Sequence, residues 1–306
     1  MTPLSLSGVF APVLTPVDED LSIDLPLYIE FCRWLLDTGC HGLVLFGTNS
    51  EATSFSTAER MAALDAVIDA GIPAEKLVIG NGTAAISDGV DLARHALSHG
   101  CHGVMTLPPF YYPKVSDEGL FRAFAYIADR VGDPALKMYF YHIPQVSGIG
   151  LSADLLDRLA SELPGVAAGV KDSTGDPENL RRFHQVAAAH PGFSVFCGTE
   201  SLLLENLRGG GAGCISGMAN VIPDQIRSLY ESWQAVDADA HQAQLNWLRN
   251  AALGTGFNVI AAAKALTAAR TGAAGWCRVR PPLVALTPAQ QQTLHAAVAT
   301  AEPVLA

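Results

Sequence analysis

A lysine closes a wholly apolar run. Residues 166–170 read Val-Ala-Ala-Gly-Val, and Lys171 follows, with Asp172 and Ser173 behind it. A lysine that serves only solubility has no use for such a setting. Desolvation disfavours an ammonium, and an amine that sheds its proton can attack a ketone carbon. The competing readings are a side chain that snorkels to water or one that pairs with Asp172. Upstream, Tyr139-Phe140-Tyr141 ends a second apolar run. Strand alternation puts Tyr139 and Tyr141 on one face and Phe140 on the other. Tyr141 then points inward near the strand's end, where a buried phenol needs a hydrogen-bond partner, whether its role is chemical or structural. His142, next in sequence, is expected to face away, in packing or toward solvent.

Other polar groups follow apolar runs in the same manner. Gly47-Thr48-Asn49-Ser50-Glu51 sets small hydroxyl and amide groups after a glycine, where backbone N–H groups can be aimed at a carboxylate. A polar turn with a helix cap is the plainer reading. Pro108-Pro109-Phe110-Tyr111-Tyr112-Pro113 presents two phenols on a stiff loop, and Gly198-Thr199-Glu200-Ser201 offers groups for the far end of a substrate, or a cap. Gly209-Gly210-Gly211 precedes a strand and reads as turn chemistry rather than a phosphate cradle. The nine histidines are read as scattered, without a His-x-x-x-His pair or clustered carboxylates, and no metal is expected.

These residues need elements to hold them. Apolar strand candidates fall at 9–14, 42–46, 77–80, 104–107, 137–141, 166–171, 194–197 and 214–216. Most are continuous apolar runs, the mark of parallel strands covered on both faces. Helix-period segments fit between them at 25–38, 57–70, 87–99, 117–131, 152–161, 177–190, 201–207 and 223–234, often opened by Asp, Ser or Thr. Gly39-Cys40-His41-Gly42 echoes Gly100-Cys101-His102-Gly103, each a glycine helix stop leading to a buried strand. Eight such units predict a closed (β/α)8 barrel over residues 1–235, with functional groups at the C-terminal ends of the strands. An open doubly wound sheet is disfavoured, because no Gly-x-Gly-x-x-Gly follows the first strand. Residues 236–306 predict a helical extension packed on the barrel, with helices at 237–252, 258–271 and 287–301.

Composition excludes other classes. The 306 residues are 49% hydrophobic, enough for a sizeable core, and the net charge of −11 without a basic run argues against nucleic acid and anionic membranes as partners. No apolar stretch is long enough to cross a bilayer, and the first basic side chain is Arg33, so no leader peptide is expected. Six cysteines without a Cys-x-x-Cys pair read as reduced, buried thiols of a cytoplasmic protein.

With these residues in place, the sequence resembles the dihydrodipicolinate synthase / N-acetylneuraminate lyase family of class I, Schiff-base aldolases. The matching stretches are Phe10-Ala11-Pro12-Val13-Leu14-Thr15-Pro16, Gly47-Thr48-Asn49-Ser50-Glu51, Tyr141-His142-Ile143-Pro144, Gly169-Val170-Lys171-Asp172 and Gly213-Cys214-Ile215-Ser216. The resemblance implies that Lys171 forms the imine and that Tyr141 relays protons, with Thr48 holding its hydroxyl. It implies that Thr48 and Asn49 bind the carboxylate of a 2-oxo acid and that a backbone carbonyl at Ile215 lines the site. Tyr111, or Tyr112, matches a tyrosine lent by a neighbouring subunit of a homotetramer, a dimer of dimers. No cofactor beyond the covalent lysine imine is implied. Glu200 and Ser201 fall where the lyase and sugar-acid branches touch hydroxyls of a longer substrate.

Three departures from the family pattern stand out. Asn49 replaces the usual Thr or Ser, and Ser50 the usual Gly. Val146 occupies the position where dihydrodipicolinate synthases carry an arginine for the carboxylate of their second substrate. Valine offers no fork of donors, and losing such a pair costs about 1.5–3 kcal/mol or more in recognition. The leading expectation is therefore an aldolase or lyase acting on pyruvate or on a 2-oxo-3-deoxy sugar acid. A dehydratase or deaminase using the same imine comes second, 4-hydroxy-tetrahydrodipicolinate synthase third, and a non-catalytic 2-oxo acid sensor last.

Overall fold

The computed structural model describes residues 6–299. Eight strands, β1 (Gly8–Pro12), β2 (Gly42–Leu45), β3 (Leu77–Gly80), β4 (Gly103–Thr106), β5 (Met138–His142), β6 (Ala167–Asp172), β7 (Ser194–Cys197) and β8 (Gly213–Ile215), close into a barrel in sequence order. Every neighbouring pair is parallel, β8 returning to β1. Around them run α1 (Leu25–Thr38), α2 (Thr57–Asp69), α3 (Ile86–Ser98), α4 (Asp117–Val131), α5 (Pro144–Ser147), α6 (Ala153–Glu162), α7 (Pro177–Ala189), α8 (Leu203–Arg208) and α9 (Pro223–Glu231). The chain continues as α10 (Ala238–Leu253), α11 (Val259–Thr271) and α12 (Pro288–Ala299). This is a (β/α)8 barrel with helices added after the eighth unit.

The apolar runs predict this layering because each strand faces two cores. Phe10, Val44, Val78, Met105, Tyr139, Tyr141, Phe196 and Ile215 fill the barrel's interior. Val9, Leu43, Leu45, Phe140 and Val170 face outward into the larger core beneath the helices. Full burial of each such side chain contributes roughly 1.5–3 kcal/mol, so the cylinder is a packed core and not a pore. The helices begin where their caps stand. The Asp24 and Ser152 side chains accept from the N–H groups of Leu27 and Leu155, and Ser56 with Glu59 forms a reciprocal capping box. In the repeated glycine stop, Gly100 turns with φ +77°, and a Cβ at Gly103 would lie 2.5 Å from the Lys137 carbonyl oxygen. The positive φ accounts for Gly100 and the crowding for Gly103, while in the other copy crowding accounts for both, Gly39 against Pro223 and Gly42 against the Lys76 carbonyl.

Three elements depart from the sequence pattern. The segment expected as a helix over 201–207 divides into a 3-10 turn, Glu200–Leu202, and α8, because Thr199 Oγ1 accepts from the Ser201 N–H and tightens the entry. The helix expected to reach residue 234 ends at Glu231. The short α5 was not expected; Pro144 opens it and Gly148, at φ +71°, closes it. The end of the last expected helix, residues 300–301, lies outside the described residues.

One irregularity sets the site. Met138 pairs with Ala167 but Tyr139 pairs with Gly169, so β6 carries an extra residue, Ala168, at a bulge. Simple alternation would put Ala168 and Lys171 on opposite faces. With the bulge, Ala168 faces the interior, Val170 the helices, and Lys171 points inward again, beside Tyr141 in register.

Candidate active site

A cavity of about 180 Å³ opens at the C-terminal ends of the strands. Thr48 and Asn49 after β2, Tyr141 on β5, Lys171 and Ser173 at the end of β6, Thr199 and Glu200 after β7, and Ser216 and Gly217 after β8 line it. A second space of about 260 Å³ lies across Thr48 and Tyr141, walled by Phe110, Val146, Leu107 and Leu283.

Lys171 is buried, with 3% exposure. Its ammonium nitrogen sits over the Tyr141 ring, 4.2 Å from the centroid. The expected alternative, pairing with Asp172, is not what the fold builds. Asp172 Oδ1 accepts from the Thr174 N–H at 2.9 Å and from Thr174 Oγ1 at 2.7 Å, and Oδ2 accepts from Asn179 Nδ2 at 3.0 Å. Among the described residues, no carboxylate pairs with Lys171. Thr48 Oγ1 donates to the Tyr141 phenol oxygen at 3.4 Å. Burial pushes that phenol up, but Lys171 and the hydrogen bonds with Thr48, Ser173 and Lys171 outweigh it and hold it below its usual range. Amine, phenol and hydroxyl thus stand side by side on the cavity wall. His142 turns away, as expected: its Nδ1 accepts from the Leu151 N–H at 2.8 Å and its ring meets Phe183 edge-on.

The loop after β2 is held from two sides. Ser50 is fully buried; its Oγ donates to the Val13 carbonyl at 2.5 Å and accepts from the Gly47 N–H at 3.2 Å. The serine in place of glycine therefore ties the loop to the end of β1. Phe46 and Glu51 take left-handed backbone angles, φ 58° and 57°, which are uncommon outside glycine. Glu51 is anchored there by the Lys264 ammonium of α11 and by the Arg280 N–H at 2.7 Å. Asn49 packs against Gly217, where a Cβ would sit 2.5 Å from Asn49 Nδ2.

At the other end of the cavity Glu200 is buried. Its Oε2 accepts from Ser216 Oγ, its Oε1 lies 3.2 Å from Arg249 Nε, and Oε1 has no hydrogen-bond donor among the described residues. Burial pushes the Glu200 carboxyl up, against the pull of Ser216 and Arg249. An undonated buried oxygen is costly unless a ligand completes it.

The other expected positions fall as follows. Ile215 lies inside the barrel, and Ser216 and Gly217 rather than Ile215 reach the cavity wall. The Ser201 hydroxyl pairs with Thr199 Oγ1 at 2.8 Å and does not line the cavity. Tyr111 and Tyr112 pack edge-on against each other, 74% and 69% exposed, outside both cavities. Ser173 and Thr199, from the stretches quoted after the sixth and seventh strands, do line the cavity, whereas Arg249 was not singled out: it sits on a helix of the extension, and nothing in its local pattern points at the barrel mouth. The reading of the histidines needs correction: His95-Ala96-Leu97-Ser98-His99 is a His-x-x-x-His pair, and Asp65 stands against it.

An inward lysine beside a phenol at the mouth of a (β/α)8 barrel brings together the groups that imine chemistry with a ketone requires. The chain belongs to the dihydrodipicolinate synthetase family, whose model matches residues 5–301. It is 31% identical to the probable 2-dehydro-3-deoxy-D-pentonate aldolase YjhH of Escherichia coli, over 78% of each chain. Among solved structures it is similar to dihydrodipicolinate synthase from Agrobacterium tumefaciens, with TM-score 0.87, 33% identity and coverage of 96% of this chain and 98% of that one. It is also similar to YagE, a prophage protein of the same family from Escherichia coli solved in complex with pyruvate, with TM-score 0.88, 26% identity and coverage of 97% and 98%. Class I aldolases and lyases of this family work through a lysine Schiff base without an external cofactor. No helix among the described residues is long and apolar enough to cross a membrane.

Proposed function

We propose that the protein cleaves, or in reverse forms, the C3–C4 bond of a 2-oxo-3-deoxy sugar acid through an imine at Lys171, with pyruvate as the three-carbon partner. The carrying observation is the buried, carboxylate-free Lys171 over the Tyr141 ring. The free amine attacks the C2 ketone, and the carbinolamine loses water to give a protonated imine. Tyr141 moves the protons, with the Thr48 hydroxyl directed at its oxygen. As the C4 hydroxyl gives up its proton, the C3–C4 electron pair flows into the imine, releasing an aldehyde and leaving an enamine. Protonation at C3 and hydrolysis then free pyruvate and restore the amine. Thr48 and Asn49 hold the carboxylate.

The distal end favours a polyhydroxylated chain. Glu200 Oε1 offers an unfilled acceptor for a substrate hydroxyl, with Arg249 beside it. Val146, on the wall of the second space, is 63% exposed and gives no charge to a second carboxylate, which weighs against the synthase that condenses pyruvate with aspartate semialdehyde. The name of the pentonate aldolase relative agrees with this choice.

We read residues 236–306 as an extension of the barrel domain, since α10 and α11 supply its cavity wall. The exposed Tyr111 and Tyr112 suit contact with a second copy in a homotetramer, where Tyr111 would join the proton relay. Six unpaired thiols suit a cytoplasmic setting.

Two measurements test the reading. Borohydride with pyruvate should add mass to the native protein and none to Lys171→Ala; a native protein that never traps defeats the imine. Pyruvate release from a panel of 2-oxo-3-deoxy sugar acids tests the substrate. Turnover only in a coupled assay with aspartate semialdehyde would hand the function to the synthase, and water loss without pyruvate release would mark a dehydratase.

A further inference from the structure

The outer wall of the barrel carries a second cluster of chemistry, remote from Lys171. His95 in the last turn of α3 and His99, which caps that helix, are one turn apart and share a face. Helices of this barrel run back against the strands, so the end of α3 lies toward the base, away from the cavity. Asp65 of α2 stands against the pair. Its Oδ1 lies 2.8 Å from His95 Nε2 and 2.7 Å from His99 Nε2.

The angles separate this cluster from an ordinary hydrogen-bonded group. His99 Nε2 bonds to Asp65 Oδ1, but His95 Nε2, although as near and itself shut off from water, is out of line and makes no hydrogen bond. The two imidazoles meet at 77° with centroids 4.8 Å apart. Two ring nitrogens and a carboxylate oxygen therefore converge without all pointing at one another, as ligands do around a shared centre. All three ligand atoms lie within 4.8 Å of one another.

The geometry points to a divalent transition-metal site formed by Asp65, His95 and His99, bridging α2 and α3. Two imidazoles with one carboxylate suit Zn²⁺, Co²⁺, Ni²⁺ or Cu²⁺ rather than Mg²⁺ or Ca²⁺, which prefer all-oxygen sets. The side chains are 24%, 27% and 45% exposed for His95, His99 and Asp65, so the cluster is open to solvent on its Asp65 side. A bound ion would take the place of the His99–Asp65 hydrogen bond, fill the unpartnered valence of His95, and clamp two helices. Because it binds the folded chain, it would also raise the melting temperature.

The test uses the full, untagged chain. Zn²⁺ titrated by calorimetry should bind one equivalent below millimolar concentration, and Co²⁺ at the same site should give visible bands of nitrogen–oxygen ligation without thiolate charge transfer. Asp65→Asn, His95→Gln and His99→Gln should each weaken binding by more than the roughly tenfold that loss of an outer partner costs, and Zn²⁺ should cease to raise their melting temperature. Borohydride trapping with pyruvate checks that each variant is folded. His99→Cys keeps a ligand and should restore binding, now with a thiolate band. Zn²⁺ binding that is absent at millimolar concentration, or equally tight in His95→Gln and His99→Gln, overturns the site.

Discussion

Two lysines of this protein are buried, and they could hardly be used more differently. Lys264 on α11 is 1% exposed; its ammonium meets the Glu51 carboxylate and donates to the Arg278 carbonyl at 2.7 Å. Lys171 on β6 is 3% exposed and has a phenol where Lys264 has a carboxylate. Burial pulls the Lys264 ammonium below its usual range, and Glu51 pulls back. The lesson is that burial alone does not make a nucleophile. A carboxylate in contact fixes the charge and turns the lysine into a strut; a phenol offers somewhere for a proton to go. The strut also reaches the cavity, because Glu51 ends the loop that carries Thr48 and Asn49 to its wall.

Substitutions should pull the two apart. Lys171→Met removes a side-chain nitrogen that has no carboxylate partner, so the fold should hold while imine trapping and turnover vanish. Tyr141→Phe leaves the amine but breaks the relay, and kcat should fall by about 10²–10⁴, read by steady-state assay with trapping slowed rather than lost. Lys264→Met should behave in the opposite sense. It leaves the Glu51 carboxylate buried without its cation, and such an orphan costs about 3–5 kcal/mol, measured by denaturant unfolding. The protein that remains folded should still trap pyruvate. If Lys264→Met abolished trapping at unchanged stability, or Lys171→Met unfolded the chain, the distinction between strut and nucleophile would be lost.

The same contrast marks what the sequence could reveal. Lys171 stood out because a charge ends an apolar strand, a local signal. Its direction was not local: the bulge at Ala168 sets which face it takes, and that depends on pairing with β5. Lys264 lies in an alanine-rich helical run, and its partner is 213 residues away. Nothing near it hints at Glu51. Arg249 is hidden in the same way, since the helix that carries it reaches the cavity only after the barrel has closed. Strands and helices were legible to within a few residues, because apolar runs, caps and glycine stops act over short distances. The end of α9, with no glycine stop, was read three residues too long. The His95–His99 spacing was present in the sequence, but its third member, Asp65, belongs to the preceding helix and only packing brings it near.

The far end of the cavity should respond more gently. Glu200→Gln keeps the shape but exchanges an acceptor for a donor at one oxygen. For a hydroxylated substrate the loss should appear in KM more than in kcat, by a factor of about ten, one neutral hydrogen bond's worth. Trapping of pyruvate, too short to reach Glu200, should not change. An equal loss for pyruvate would mean that Glu200 supports Lys171 and does not read the distal chain.

The smallest effect sharpens the strut side of the comparison. A second acid, Glu59, repeats the Glu51 arrangement near the surface: Arg280 Nη2 donates to it at 2.5 Å, and it accepts from the Ser56 N–H at 2.8 Å. The Arg280 guanidinium holds the Glu59 carboxyl down at about 2, and the Ser56 contacts help it to overcome the opposing effect of burial. A carboxyl depressed on folding stabilises the native state above its unfolded value, near 4.5, and that stability drains away as pH falls toward 2. The stability gap between the native protein and Glu59→Gln should therefore be widest at neutral pH and narrow progressively below pH 4.5, in thermal melts at low ionic strength. Added salt should shrink it as well, because this pair is half-open to water. The Lys264→Met deficit should resist salt, because both of its charges lie beyond the reach of mobile ions. A Glu59 gap that ignores both pH and salt would place its contribution in the helix cap alone and leave Lys264–Glu51 as the charged strut of the two.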